Sequence, residues 1–417
     1  MEKSCKELYE SFKLLNDLYF VRTSGSENEL KAANILKAEC EKLGLKAKLE
    51  DFDVNNYEIK ECELKFDGVE FKEVVGTGYS GSTTPEGVEG DFIYIDSLED
   101  LEVKDVKGKI ALVMGKLFPT KIYSLLVKKG AIGAVHTTGD IYEDYDKTDL
   151  DPYMIRPNAY KDGKIPTVCI RIHDAEKLVR DMPKRASIKL IQEEKQVKSW
   201  NVVAKIKGTK KPDEIIAFSA HYDSVAYSKG AYDNATGSTG IMQIASYYKK
   251  HKPERTLVFV WCGSEEIGLE GSKAYDKKHE KDLDKYLLNI NIDMIGATLG
   301  NDIACLTSEE ALVNYLKYYA KINGFGLKAW QGVYSSDSTP FADKGVPALS
   351  FCRAATRGGA VIHSRKDVLD FLSEDNYYHT CDFIIDWSKT LINSVAFPVE
   401  HTMPDNMKEE IKKYNER

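Results

Sequence analysis

The second half of the chain alternates short apolar runs with longer segments of helical periodicity. The apolar runs contain almost no charged residue, as is typical of strands that are buried on both faces of a sheet. They are IIAFSA, TLVFVWC, YLLNINI and PALSFC. The periodic segments predict helices over residues 235–251, 268–282, 308–323 and 375–395. This order predicts an α/β fold in which helices sandwich a mostly parallel mixed sheet.

The region from residue 57 to residue 193 has a different sequence pattern, in which short predicted strands are separated by Gly and Pro. Its patterns predict strands at GKIALVMG and KIPTVCIRI and a helix at DAEKLVRDM. Two predicted helices, over residues 1–20 and 27–43, and the alternating strand LKAKLEDFDV precede it. We therefore predict two domains. The larger consists of residues 1–56 and 194–417, and a small β-rich α+β domain is inserted at 57–193.

Composition and charge exclude several classes of protein. The net charge of −8 argues against a nucleic-acid partner, which would require concentrated Lys and Arg. The sequence has no apolar run of about 18 residues and no signal-peptide pattern, so we expect no membrane span and a cytoplasmic location. The eight cysteines are scattered without a CxxC pair, which favours free thiols over a zinc ribbon or disulfides.

Chemically active side chains follow three of the predicted strands at their carboxyl ends. IIAFSA runs into His221, TLVFVWC is followed closely by Glu265 and Glu266, and YLLNINI runs into Asp293. Ligands of open α/β sheets bind at this edge. Two adjacent acids after a buried strand are costly unless their charge is neutralised. One of them can bind a cation while the other accepts a proton from water, although a solvated acidic loop is the alternative.

Three further residues are candidates on weaker grounds. Asp233 lies in the glycine-flanked loop GAYDNATG ahead of a helix, where a turn or a helix cap is the alternative role. His363 follows the segment GGAVI, and a single histidine is more often a packed or surface residue. Asp223 stands two positions after His221 and can bind the second imidazole nitrogen of a metal-bound histidine, or cap a turn.

Together these candidates form a donor set of two histidines and three carboxylates, which suits zinc, with cobalt or manganese as substitutes. The predicted metal ligands are His221, Asp233, Glu266, Asp293 and His363. One shared acid would give each metal ion a histidine, a terminal carboxylate and the shared carboxylate, with room for water. The sequence therefore predicts a hydrolase that uses two divalent metal ions.

Six motifs carry a resemblance to a known family. In chain order they are HYDS, GAYDNATG, SEEIGLEGS, NIDMIG, SSDSTPF and VIHS. This set resembles the M28 family of zinc peptidases, which includes bacterial aminopeptidases and glutamate carboxypeptidases. The resemblance covers residues 194–417 and the N-terminal helices. It implies release of N-terminal amino acids from peptides, a possible homodimer, and a protease-associated insert at 57–193 of the kind that tends to cover the active-site cleft.

The resemblance also implies how the ligands are divided between two metal ions. His221 and Asp293 would hold one ion, and Glu266 and His363 would hold the other. Asp233 would bridge the two ions. The second acid of the adjacent pair is then left for proton transfer.

That acid, Glu265, would be the general base, and a cis peptide bond would join Asp233 to Asn234. Many relatives carry a tyrosine directly before the last histidine, where it assists the oxyanion, but this chain has Ile362 there. Tyr334 is the candidate to replace it, because some relatives place a tyrosine in this loop. A pocket or core aromatic is the alternative role for Tyr334.

Two other functions stay open. A carboxypeptidase or dipeptidase of the same family would bind a terminal carboxylate, for which Arg353, Arg357 and Arg365 are candidates beside ordinary surface charge. A metal-free homologue would keep the fold and serve as a binding module. The presence of all five ligand residues and of the general base counts against this last function.

Overall fold

The computed structural model describes residues 4–113, 120–150 and 153–416. Its strands are β1 Ala47–Phe66, β2 Val69–Phe71, β3 Val75–Gly76, β4 Val88–Ile95, β5 Lys109–Val113, β6 Gly133–Thr138, β7 Thr167–Arg171, β8 Arg185–Ile206, β9 Lys211–His221, β10 Arg255–Cys262, β11 Tyr286–Ile292, β12 Gly300–Thr307, β13 Leu327–Gln331 and β14 Ala348–Ala355. Its α-helices are α1 Glu27–Lys42, α2 Leu98–Val103, α3 Thr120–Lys128, α4 Ile172–Asp181, α5 Thr236–Lys250, α6 Glu270–His279, α7 Glu310–Ile322, α8 Ser338–Asp343, α9 Glu374–Ile392 and α10 Asp405–Asn415. Within the described ranges, no helix combines the length and the apolar character that crossing a bilayer requires.

Contacts within the chain define two compact units. The larger contains the residues up to Val54 together with Val197–Asn415, and the smaller contains Asn55–Gln196. Both boundaries fall inside long strands, the first in β1 and the second in β8.

The sheet of the larger unit has the order β13-β12-β14-β11-β9-β10-β8. At its centre, β9 runs parallel to β10 and β11, and β11 runs parallel to β14. The strands β12 and β8 are antiparallel to their neighbours β14 and β10. Cys262 at the end of β10 pairs with His221 at the end of β9, so the carboxyl ends of the central strands share one edge.

Apolar side chains point to both faces of the central strands. On β9, Ile216 and Phe218 join a core cluster with buried residues of α1, α5 and α9. The alternate residues Ile215 and Ala217 join a second cluster that includes Tyr275 of α6. Because helices cover both faces, β10 is buried along its whole length, which explains its uninterrupted apolar sequence.

Strands of the smaller unit pair in the order β8-β4-β5-β6-β7-β3. Its four middle strands are parallel, and the outer strands β8 and β3 are antiparallel to β4 and β7. One core cluster contains Tyr123 of α3, and a second contains Leu178 of α4. The predicted strand GKIALVMG corresponds to β5, and its last two residues lie outside the described ranges.

The central elements of the larger unit confirm the predictions from sequence. The four apolar runs form β9, β10, β11 and β14, and the four periodic segments form α5, α6, α7 and α9. The pattern does not predict β12 and β13, which flank α7 in sequence. Their sequences, GNDIACLT and LKAWQ, mix polar and apolar residues because these strands lie toward the margin of the sheet.

The helix predicted over residues 1–20 is wrong. From residue 4 onward, this segment forms short 3-10 helices at Cys5–Glu7 and Ser11–Asn16. The backbone N–H of Ser11 donates to the Gln243 side chain at 3.3 Å, and that of Phe12 donates to the Tyr378 hydroxyl at 3.1 Å. These tertiary partners take N–H groups that an α-helix would use internally, so packing overrides the local helical pattern.

The contribution of α1 to the core can be measured by shortening one buried side chain. Leu36 is fully buried in the cluster that joins α1 to the sheet. We expect Leu36→Ala to lower the free energy of unfolding of the larger unit by about 2–5 kcal/mol, as read from denaturant titration. Lys37→Ala, at the partly exposed neighbouring position, is the control and should change it by less than about 0.5 kcal/mol. Equal losses in both variants would contradict this packing.

Candidate metal centre

The predicted ligands converge at the carboxyl edge of the sheet in the larger unit. His221 is the last residue of β9, and Asp293 directly follows β11. Their relative exposures are 1% and 4%, so both side chains are buried. The N–H of Asp293 donates to the carbonyl oxygen of Phe351 on β14 at 2.9 Å, which extends the strand pairing up to this residue. The sheet therefore sets the positions of both side chains.

Asp233 lies between two histidines. Its Oδ1 is 3.2 Å from Nε2 of His221, and its Oδ2 is 3.2 Å from Nε2 of His363. The first histidine nitrogen also lies 3.5 Å from Oδ1 of Asp293, and the second lies 3.0 Å from Oε2 of Glu266. Two groups of three ligand atoms, each within 4.8 Å of one another, therefore share one carboxylate, and each group can hold a metal ion.

The loop that carries Asp233 is tied to the loop that carries Asp293. The peptide bond between Asp233 and Asn234 is cis, as the resemblance implies. The Asn234 side chain donates to the carbonyl oxygen of Ile292 at 3.0 Å and accepts from the N–H of Met294 at 2.9 Å. Asn234 thus binds the residues on either side of Asp293, which fixes the two acids relative to each other.

A buried carboxylate outside the predicted set, Asp367, holds the same loop from another side. Its Oδ1 accepts from the N–H of Tyr232 at 2.7 Å, and its Oδ2 accepts from the N–H of Asp233 at 3.0 Å. Burial raises the pKa of Asp367 to about 6. Because Asp367 follows His363 by four positions, it links the segment of this histidine to the shared carboxylate.

Glu265 and Glu266 lie on the turn that follows β10, where Ser264 has a left-handed φ of 54°. The N–H of Glu265 donates to Oδ1 of Asp223 at 3.0 Å, and the N–H of Glu266 donates to Oδ2 at 3.2 Å. Oδ1 of Asp223 also lies 3.5 Å from Nδ1 of His221, a distance at which a hydrogen bond is weak. The structure therefore places Asp223 against the histidine, but its close contacts are with the turn.

The centre contains more carboxylates than histidines, and the pKa values of both kinds of group reflect this excess of negative charge. Burial would lower the pKa of His363, but hydrogen bonds to Asp233 and Glu266 raise it to about 11. Burial is likewise outweighed at His221, where neighbouring acids, Glu265 foremost, raise the pKa well above its usual value. Burial and then the charge of Asp233 raise the pKa of Glu266 to about 7. The cluster therefore attracts positive charge strongly.

Two oxygens of this cluster provide a test of whether a metal ion fits. Oε1 of Glu266 and Oδ1 of Asp293 are buried, and neither accepts a hydrogen bond from a described residue. A buried carboxylate oxygen without a donor is unfavourable unless a cation satisfies it. Imidazole nitrogen and carboxylate oxygen are ligands that zinc accepts. The residues present therefore fit divalent metal ions.

The structure leaves Tyr334 partly buried. Burial, followed by the charge of Asp293, raises the pKa of Tyr334, so its phenol stays protonated and can donate a hydrogen bond. The Tyr334 carbonyl oxygen accepts from the Thr339 hydroxyl at 2.7 Å and from the N–H of Ser336 at 2.8 Å, which anchors its loop.

The three candidate arginines have different surroundings. Nη1 of Arg353 donates to Asp302 at 2.5 Å, and its Nε donates to the carbonyl oxygen of Ala297 at 2.7 Å. Arg353 is therefore committed to a contact within the protein. Arg357 and Arg365 are exposed in the segment around His363.

Two buried charged residues that support the centre lie outside the predicted motifs. The Arg22 guanidinium donates to the carbonyl oxygen of Gly230 at 2.8 Å, and the Glu29 carboxylate accepts from the N–H of Ser264 at 2.9 Å. In sequence, the arginine is a lone charge in a loop. Ser26 and Glu29 have the spacing of a helix cap. Neither pattern reveals a partner so distant along the chain.

Comparison with known proteins places this centre in a family context. Residues 201–388, which include all five predicted ligands, match the model of Peptidase family M28. The chain is 29% identical over 395 residues to aminopeptidase YwaD of Bacillus subtilis (strain 168), covering 91% of this chain and 83% of that protein. It is 28% identical over 363 residues to carboxypeptidase Q of Rattus norvegicus, covering 82% of this chain and 76% of that protein. The chain is thus homologous to peptidases named for opposite ends of the peptide.

Solved structures show the same fold. A zinc aminopeptidase from Bacillus subtilis superposes with a TM-score of 0.77 at 24% identity, covering 96% of this chain and 97% of that one. An aminopeptidase from Aneurinibacillus sp. strain AM-1 gives a TM-score of 0.73 at 23% identity, covering 95% and 96%. These similarities confirm the predicted α/β fold with a mostly parallel sheet between helices.

Replacing Asp367 by asparagine tests whether this residue holds Asp233 in place. An amide has one acceptor oxygen where a carboxylate has two, so one buried N–H loses its partner, at a cost of about 1–3 kcal/mol. We expect Asp367→Asn to retain fewer metal ions per chain than the parent after dialysis against buffered zinc, measured by elemental analysis. Asp370→Asn, at an exposed position nearby, should retain the parent's content. Full metal content in both variants would refute the role of Asp367.

Proposed function

We propose that this chain, in which residues 201–388 match Peptidase family M28, is a two-metal peptidase that releases N-terminal amino acids. The observation that carries the proposal is the sharing of Asp233 between two ligand groups, His221 with Asp293 and His363 with Glu266. The relative named aminopeptidase YwaD supports both the peptide substrate and attack at its N-terminal end.

Zinc is the metal that we propose for both sites, with cobalt or manganese as substitutes. Two imidazoles and three carboxylates suit these ions, and one structure of the same fold is described as a zinc aminopeptidase. His221 and Asp293 would hold one ion, His363 and Glu266 the other, and Asp233 would give one oxygen to each. When bound, such a pair supplies Lewis acidity and lowers the pKa of water.

Glu265 is the proposed proton carrier. It shares the turn after β10 with Glu266, yet it belongs to neither group of ligand atoms found among the described residues. Burial raises the pKa of Glu265 well above its usual value, and the nearby Glu266 and Asp293 reinforce this shift against the opposing charge of His221. A carboxylate of raised pKa is suited to accept the proton of the attacking water and then donate it to the leaving amine.

Tyr334 is proposed to assist the charge that develops on the carbonyl oxygen of the substrate. Its raised pKa keeps the hydroxyl protonated, and the contribution of Asp293 to that shift supports a position near the centre. A preorganised donor of this kind stabilises an oxyanion in the transition state. Tyr334 would thereby replace the tyrosine that many relatives carry where this chain has Ile362.

Changing Glu265 to glutamine separates proton transfer from metal binding. An amide cannot accept the proton, so we expect kcat to fall by about 10²–10⁴-fold while the metal content stays at the parent level. Peptide turnover and elemental analysis are measured on the same samples. Glu270→Gln is the matched control, because Glu270 lies nearby at the start of α6 and pairs with Lys273. Turnover near the parent's in Glu265→Gln would refute the base assignment.

Carboxypeptidase or dipeptidase activity is the second candidate function. It is favoured by the similarity to carboxypeptidase Q and by Arg357, which is exposed four residues after Arg353 and close to His363 in sequence. A guanidinium binds a terminal carboxylate well because it offers paired donors. Arg353 is a poor candidate for this role, since Asp302 and a backbone carbonyl already occupy its guanidinium.

Peptides blocked at one end distinguish the two candidates. The same short peptide is offered free, N-acetylated or C-amidated, and the products are identified by mass spectrometry. We expect the free and amidated forms to lose their first residue and the acetylated form to resist, because aminopeptidase action requires a free amine. A chelator should abolish cleavage, and zinc should restore it. Cleavage of the free and acetylated forms, with resistance of the amidated form, would favour the carboxypeptidase. If no form is cleaved, peptidase function is refuted.

Three further features belong to the same proposal. The unit formed by Asn55–Gln196, with its own core clusters, is our candidate for the protease-associated insert predicted at 57–193. The eight cysteines are free thiols, which favours a reducing compartment such as the cytoplasm. A homodimer stays a prediction from the family resemblance.

A further inference from the structure

Glu29 is a fully buried acid in the first turn of α1, and both of its carboxylate oxygens accept hydrogen bonds. Oε1 accepts from the N–H of Ser264 at 2.9 Å, from the Ser264 hydroxyl at 3.1 Å and from the Ser199 hydroxyl at 3.0 Å. Oε2 accepts from the N–H of Gly25 at 2.8 Å. An acid at this helix position commonly caps the helix. Here Oε2 keeps this local contact, and Oε1 connects α1 to the turn after β10.

Side chains bind the backbone N–H groups of that turn. The N–H of Gly263 donates to Asn201 at 3.2 Å, and the N–H of Ser264 donates to Glu29 at 2.9 Å. The N–H groups of Glu265 and Glu266 both donate to Asp223, at 3.0 and 3.2 Å. Two buried acids therefore fix three consecutive N–H groups. Because Glu265 and Glu266 are on this turn, the direction of both side chains depends on these bonds.

The turn has little freedom to move toward α1. A Cβ atom at Gly263 would lie 2.5 Å from the carbonyl oxygen of Trp200, 2.7 Å from Oγ of Ser199 and 3.0 Å from Oε1 of Glu29. Ser264, next in sequence, has a positive φ, which a residue with a side chain adopts rarely. The N–H and the hydroxyl of Ser264 both donate to Glu29, and these hydrogen bonds compensate for this conformation.

The position of Glu29 is electrostatically unfavourable for stability alone. Burial, and then the charge of Asp223, raises the pKa of Glu29 to about 8. Burying two acids against one turn costs free energy of folding, and hydrogen bonds to the turn offset part of this cost. The purpose supported by the geometry is the orientation of the turn.

We propose that Glu29 is a positioning residue that acts through Ser264 to direct Glu265 and Glu266 into the metal centre. The inference rests on the proposed function for the roles of Glu265 and Glu266. Glu29 precedes residues 201–388, which match the family model, so the proposal adds a residue of the N-terminal helix α1 to those that shape the active site. The helix α1 is then part of the catalytic apparatus as well as of the core.

The test compares Glu29→Ala with Glu29→Gln in the full chain. Alanine removes the acceptor for Ser264, so we expect kcat to fall by about 10- to 100-fold with KM changed by less than about threefold. Dialysis against buffered zinc should leave Glu29→Ala with about one metal ion per chain where the parent keeps two, because Glu266 is misdirected. Glutamine keeps one acceptor oxygen for Ser264, so it should recover most of both kcat and the second ion.

Glu27→Ala is the matched control, since Glu27 is exposed on the same turn of α1. It should match the parent in both measurements. Parent-like kcat and metal content in Glu29→Ala would overturn the proposal, as would losses in Glu29→Gln equal to those in Glu29→Ala. If Glu29→Ala does not fold, Glu29→Asp replaces it, because the shorter side chain withdraws its oxygens from both the N–H and the hydroxyl of Ser264. A several-fold fall in kcat would then support the proposal, and parent-like kcat would overturn it.

The metal measurement keeps this inference separate from the proposed function. A parent chain that binds two zinc ions but cleaves no peptide would refute the peptidase, while loss of one ion in Glu29→Ala would still support the positioning role. An active parent with unchanged metal content and kcat in Glu29→Ala would refute the positioning role and leave the peptidase intact.

Discussion

The crowding of carboxylates at one edge of the sheet is the constraint on which the rest of the centre depends. Several described acids surround two histidines at this edge, among them Asp223, Asp233, Glu265, Glu266 and Asp293. Like charges at such short range oppose folding unless cations balance them. The shared position of Asp233 between two histidines is the arrangement that lets two cations do so, and it defines what chemistry the fold can support.

Acids that are not ligands have a second use in this structure. Asp223, Asp367 and Glu29 each accept N–H groups from the backbone segments that carry the ligands. A side chain on a loop is only as well placed as its backbone, and metal chemistry requires placement to within a fraction of an ångström. The buried carboxylates therefore give loops the rigidity that the neighbouring strands have from sheet pairing.

The relatives of this chain have names that differ in the end of the peptide on which they act. In the proposed function, hydrolysis would follow from the two candidate ligand groups and Glu265, which belong to the sheet edge and its turns. The choice of end would follow from exposed side chains such as that of Arg357, which the fold does not decide. This is why one centre is compatible with two candidate substrates, and why blocked peptides are more informative than further comparison of folds.

The sequence by itself determined the central strands, because a strand buried on both faces is a local apolar run whose end is visible. The strand-end residues His221, Glu266 and Asp293 could therefore be predicted to share one edge. Asp233 and His363 required the order of the motifs, since a loop acid and a lone histidine have no local signature. Only the tertiary structure decided the 3-10 helices near the N-terminus, the marginal strands β12 and β13, and the roles of Asp367 and Glu29. Each of these depends on hydrogen bonds between residues far apart in the chain, and local periodicity contains no information about such partners.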